Sequence, residues 1–135
     1  MDNKKGKVTG IGGVFFKCKD TATVKEWYQQ NLGIKTDEYG SMFESRDTNN
    51  PEQKTYLQWS PFPDNTKYFN PSEKDFMINY RVENIEGLIE QLKSSGVKIL
   101  DSLESYDYGK FIHILDPEGN KIELWEPADS AFTKE

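Results

Sequence analysis

The feature that most constrains this 135-residue chain is an internal repeat. Phe15-Phe16-Lys17 returns as Asn79-Tyr80-Arg81, and Leu32-Gly33-Ile34-Lys35 returns as Ser95-Gly96-Val97-Lys98. Tyr39-Gly40 followed by Phe43 returns as Tyr108-Gly109 followed by Phe111, and Trp59-Ser60-Pro61 as Trp125-Glu126-Pro127. Each match is slight alone, but four in one order mark a duplicated unit. A single unit would leave its sheet half-covered, so two must pack together and share a concave surface.

Each unit reads as strand, helix and then three short strands. In the first, a strand over residues 10–19 carries Val14-Phe15-Phe16, and Asp20 or Thr21 caps a helix with Val24, Trp27, Tyr28 and Asn31-Leu32 at helical spacing. Gly33 ends that helix, and strands follow over 35–39, 41–47 and 55–60. Residues 61–74 read as a linker broken by Pro61, Pro63, Asp64-Asn65 and Asn70-Pro71-Ser72. The second unit has a strand over 75–83, then a helix over 84–95 with the stripe Ile85, Leu88, Ile89 and Leu92. Strands follow over 97–100, 110–115 and 121–125, with the turn Asp116-Pro117-Glu118-Gly119-Asn120 before the last. The expectation is one domain over 1–135, of class α+β. It holds paired βαβββ modules over 10–60 and 75–127 that form a concave mixed sheet with a cleft, between short charged tails at 1–7 and 128–135.

Composition removes several classes of function. Lys and Arg total 17 against 23 Asp and Glu, a net charge of −6 that opposes a nucleic-acid partner. Cys18 is the only cysteine, so neither an intrachain disulfide nor a cysteine zinc site can form. Alternation puts it on the core face as inert packing. Val14-Phe15-Phe16 is too short an apolar run for a signal peptide or membrane span, and the expected location is the cytoplasm. With Phe 8, Tyr 7 and Trp 3, the chain has more ring surface than one small core hides, which points to a homodimer.

Trp27-Tyr28, Leu32-Gly33 and above all Asp116-Pro117-Glu118-Gly119-Asn120-Lys121-Ile122-Glu123-Leu124 resemble the vicinal oxygen chelate superfamily, which includes glyoxalase I, bleomycin-resistance proteins and extradiol dioxygenases. The resemblance runs from about Gly10 to Pro127. It implies paired βαβββ modules, often dimeric, around a cleft that usually holds a divalent metal. In such proteins a His or Gln opens each module and a Glu closes it. Glu123 matches the second closing ligand. The opening positions fall on Gly13, which has no side chain, and Met77, whose thioether suits none of the hard ions. The first closing position falls on Leu57 or Gln58, depending on register. A catalytic ion needs about three protein ligands, so no metal or other cofactor is expected; a divalent metal is the alternative.

Strand parity supplies other candidates. Met77, Asn79 and Arg81 face the cleft, as by the repeat do Gly13, Phe15 and Lys17. Phe111 and His113 look into it, and Glu123 and Trp125 share that face by the family match. His113 and Glu123 then lie on adjacent antiparallel strands, a pair suited to acid–base work or simply a satisfied histidine. The resemblance sets Lys17 where glyoxalase I contacts a glutathione carboxylate. The ligand-binding set is therefore Phe15, Lys17, Phe43, Gln58, Trp59, Met77, Asn79, Arg81, Phe111 and Trp125, with Tyr68, Phe69, Tyr106 and Tyr108 as further rings. It suits a small aromatic or acidic organic molecule. Three functions compete: a metal-free binding protein of the bleomycin-resistance kind, a metal-dependent glyoxalase-like lyase, isomerase or dioxygenase, and a metal-free enzyme using His113 and Glu123.

Overall fold

A computed structural model describes residues 5–128. Most of both charged tails read at 1–7 and 128–135 lies outside them. The elements run β1 (Lys7–Cys18), α1 (Thr21–Leu32), β2 (Ser41–Asp47), β3 (Asn50–Pro63), β4 (Phe76–Glu83), α2 (Ile85–Ser94), β5 (Glu104–Tyr106), β6 (Gly109–Leu115) and β7 (Lys121–Pro127). They build one open mixed sheet of seven strands in the order β2-β3-β1-β4-β7-β6-β5. The modules meet at the antiparallel β1·β4 pair, and each closes by a parallel pair, β1·β3 and β4·β7.

Local chemistry sets the helix ends. Asp20 caps α1, its carboxylate accepting from the Ala22 and Thr23 amides, and Gly33 ends the helix at φ 73°, a left-handed conformation open to glycine. Asn84 caps α2 by accepting from Gly87 N–H. The strands expected over 35–39 and 97–100 reduce to single bridges, Asp37 with Gly40 and Ile99 with Ile114, whereas β5 forms where no strand was expected. β3 extends through Pro61 to Pro63, which end a ladder and need no further donor. Among the described residues no helix is long and apolar enough to cross a membrane, which says nothing of strands.

The helix side of the sheet carries the larger core. Val82, Ile85, Ile89, Ile112, Ile114 and Leu124 are buried together there, with Leu88 and Leu92 against them. A second cluster, Phe15, Phe69 and Met77 with Phe62 beside it, lies on the concave side. Phe69 comes from the segment between the modules, so that segment crosses the concave face instead of merely joining two units. Its ring is fully buried over Met77 and Phe15.

Candidate functional site

Strand pairing draws one row of residues across the concave face. Met42 on β2 stands opposite Gln58 on β3, Gln58 opposite Gly13 on β1, and Gly13 opposite Asn79 on β4. Asn79 is opposite Glu123 on β7, and Glu123 opposite His113 on β6. Directly paired residues share a face, so this row settles the register left open between Leu57 and Gln58: Gln58 looks into the cleft and Leu57 away from it.

Glu123 is the hub of the row. Its side chain is 4% exposed, and Oε2 lies 2.8 Å from His113 Nε2. Tyr68 O–H donates to the same oxygen, and Asn79 Nδ2 donates to Oε1 at 2.7 Å. On the far side of the imidazole, His113 Nδ1 lies 2.7 Å from Asp101 Oδ2, and Asp101 Oδ1 accepts from the His113 amide at 2.8 Å. Asp101, His113 and Glu123 thus form a chain of carboxylate, imidazole and carboxylate.

The electrostatics follow from that chain. Burial pushes the Glu123 carboxyl up, but hydrogen bonds from His113, Tyr68 and Asn79 outweigh it and hold the group below the ordinary carboxylate range. Burial pushes His113 down, and the two carboxylates more than reverse this, so the ring titrates above its ordinary value. Burial, followed by the Glu123 charge, raises the Tyr68 hydroxyl, which stays protonated and donates. Each ring nitrogen of His113 faces a carboxyl oxygen, an arrangement that favours the protonated ring.

The donor set does not fit the family's divalent ion. A Cβ on Gly13 would lie 2.7 Å from Phe15 Cζ, so a ring fills the space an opening ligand would take. Met77 is fully buried in the concave core beneath Phe69. Both Glu123 oxygens already accept hydrogen bonds. Asn79 Oδ1 is a buried oxygen with no partner, but it turns toward Gly12, where a Cβ would come within 2.3 Å, while the amide nitrogen faces Glu123. Among the described residues no cluster of three or more His, Cys, Asp and Glu side chains is arranged to hold an ion.

Two cavities flank Tyr68. The larger, about 830 Å³, has Phe15, Gln58, Ser60, Phe62, Phe111 and Glu123 among its walls, with Asp37, Glu38 and Tyr39 at one side. The smaller, about 330 Å³, is lined by Asp101, Tyr106, His113 and Lys121 among others, and shares Tyr68, Tyr108 and Phe111 with the first. Gly40 positions the Asp37–Tyr39 wall: at φ 119° its α-carbon packs so close to β3 that a Cβ would lie 2.0 Å from Trp59 O. Gln58 Nε2 then donates to Tyr39 O at 3.1 Å.

Of the residues expected in the cleft, Phe15, Gln58 and Phe111 line the larger cavity, and His113 and Glu123 meet between the two cavities. Trp59 and Phe43 are corrections. Trp59 pairs with Val14 and packs its ring against Tyr28 of α1 at 4.8 Å, on the helix side. Phe43 pairs with Leu57 on that same side, and Met42 takes the cleft position. Met77 and Asn79 are also corrections: both are buried, Met77 beneath Phe69, and neither lines these two cavities, nor do Lys17, Arg81 and Trp125. Lys17 sits over the Phe69 ring at 5.7 Å and Arg81 over Trp125 at 5.4 Å. Burial pushes the Cys18 thiol up, a poor nucleophile's setting. Asp101 and the bond from Tyr68 to Glu123 went unforeseen. Asp101 lies in a loop with no motif, and only the aromatic excess of the linker hinted at Tyr68.

The family model for the Glyoxalase/Bleomycin resistance protein/Dioxygenase superfamily matches residues 10–124. No curated protein matches the chain. Among solved structures, methylmalonyl-CoA epimerase from Mycobacterium tuberculosis is similar over 99% of this chain and 97% of its own, with 19% identity and a TM-score of 0.61. A variant of the Streptomyces coelicolor methylmalonyl-CoA epimerase in complex with 2-nitronate-propionyl-CoA is similar over 90% and 99%, at 15% and 0.64. A glyoxalase/bleomycin resistance protein/dioxygenase superfamily member from Vibrio splendidus is similar over 86% and 97%, at 14% and 0.56. At these identities the likeness carries the fold, not the chemistry.

Proposed function

The chain belongs to the Glyoxalase/Bleomycin resistance protein/Dioxygenase superfamily, and from that premise we propose that it binds a small organic molecule in the cleft of its sheet without a divalent ion. The observation that carries this reading is the state of Glu123. The one carboxylate retained from the family's ligand positions is paired with His113 and hydrogen-bonded by Tyr68 and Asn79. A buried carboxylate needs such compensation, and with three of its lone pairs engaged Glu123 offers a cation little. The larger cavity lies within the volume range of small-molecule sites.

A metal-free enzyme built on His113 and Glu123 is the second reading, favoured by the Asp101 carboxylate behind the imidazole. It ranks below simple binding because both ring nitrogens and both Glu123 oxygens are already engaged. Oε2 accepts from both His113 and Tyr68, which leaves only the second lone pair of Oε1, beside Asn79, to take a substrate proton. We further propose a cytoplasmic homodimer; light scattering that returned only the monomer at micromolar concentrations would count against the dimer.

Calorimetry with a small aromatic probe such as 2-phenylethanol tests the binding reading. Saturable binding that survives dialysis against EDTA supports it. Binding lost on chelation and restored by Mn²⁺, Ni²⁺ or Zn²⁺ would return the protein to the metal-dependent lyase, isomerase or dioxygenase class.

A further inference from the structure

We infer that the cleft selects an organic cation, a protonated amine or quaternary ammonium on a small apolar body. This rests on the binding reading above and narrows it. Three observations converge. First, the larger cavity is walled by rings: Phe15, Tyr39, Phe62, Tyr68, Tyr108 and Phe111. Aromatic faces carry negative charge density, and a cation over them gains more as water is excluded.

Second, every charged residue lining that cavity is acidic, namely Asp37, Glu38 and Glu123. Glu123 is spoken for by His113, so charge selection falls on Asp37 and Glu38. Lys25 reaches the same loop but bonds the backbone carbonyls of Asp37 and Glu38 at 3.1 and 3.4 Å, not their carboxylates. An acidic ligand would meet carboxylates and ring faces together, both of the wrong sign.

Third, the molecule already seats its own cations on rings of this face. Lys17 lies over Phe69, Arg81 over Trp125, and Lys121 over Tyr68 at 5.1 Å. These are the basic side chains an acidic ligand would have needed, and they are committed to rings instead. The Lys121 ammonium also donates to Tyr68 O at 2.6 Å, so it stays pinned at the wall shared by the two cavities. The ligand's charge is thus set by what the walls lack.

Titration calorimetry on the full chain at low ionic strength, with three probes of matched size, tests this: 2-phenylethylammonium, 2-phenylethanol and 3-phenylpropionate. The ammonium is expected to bind about 10-fold tighter than the alcohol, with the carboxylate weakest. Tyr108→Leu, at a half-exposed wall position, should weaken the ammonium about 10-fold and the alcohol less. Asp37→Asn combined with Glu38→Gln, at exposed positions, should weaken the ammonium about 3-fold and flatten its salt dependence. Alcohol or carboxylate binding as tightly as the ammonium would overturn the charge class and leave the binding reading standing. Ammonium affinity indifferent to both variants would overturn the assignment to this cavity. If none of the three probes saturates the protein, the binding reading falls as well.

Discussion

The two modules repeat one plan with unequal packing. In the second, α2 buries Ile85 and Ile89 against Val82, Ile112, Ile114 and Leu124. In the first, α1 has no buried residue; Trp27 is 54% and Leu32 60% exposed, and cover comes from half-buried rings of Phe16, Tyr28 and Trp59 in tilted contact. The site divides along the same line. Asp101, His113 and Glu123 all belong to the second module, the last two on strands backed by the dense core, whereas the first supplies Gly13, Gln58 and the Phe15 and Tyr39 rings of the cavity wall. A charged network needs a rigid frame to hold bond lengths.

Variants can break that contrast. The largest effect is expected from His113→Ala, which strands Glu123 as a buried carboxylate with neutral partners only and should cost about 3–5 kcal/mol in urea unfolding. Ile85→Ala, at a fully buried site in the first turn of α2, should cost about 2–5 kcal/mol. Trp27→Ala, the largest truncation available on α1, should cost about 1 kcal/mol or less, since only an edge contact with Tyr28 at 5.3 Å is lost. Equal losses at Ile85 and Trp27 would erase the asymmetry.

The dependence on pH sharpens it. His113 titrates above its ordinary 6.5 in the folded chain, so its contribution is complete below about pH 6.5 and is lost as pH rises through the raised folded value. Glu123 titrates below its ordinary 4.5, so its contribution is present above that pH and is lost as pH falls through the lowered folded value. The network therefore stabilises most between about 4.5 and 6.5. The urea midpoint of the wild type should decline on the alkaline side, and His113→Gln should remove that decline. A decline of the same size in the variant would assign the titration elsewhere.

Much of this arrangement was legible in the chain itself, and the exceptions share one cause. Asp20 and Gly33 mark the ends of α1 because caps are local chemistry, and the Asp116–Asn120 turn aligns His113 with Glu123 because a hairpin register is local too. The faces of Phe43 and Trp59 were misjudged because the parity of β3 is set by its parallel pairing with β1, a contact between distant segments. The residues around Gln58 offer no clean polar alternation to reveal it. Asp101 and Tyr68 lie in irregular segments, where no periodicity says which face a side chain meets. The linker's breakers read correctly as an interruption of regular structure, but nothing in them told that Phe69 would be buried on the concave face.

Elemental analysis of the purified protein and of Glu123→Gln, after both are offered equimolar Mn²⁺, Ni²⁺ and Zn²⁺ and desalted, tests the central claim most directly: that Glu123 is held by His113, Tyr68 and Asn79 and not by a divalent ion. Less than about a tenth of an equivalent of any of these metals is expected in either protein, because Glu123 alone would leave a hard ion mostly hydrated and freely exchanging. One equivalent retained by the wild type and lost in Glu123→Gln would contradict it.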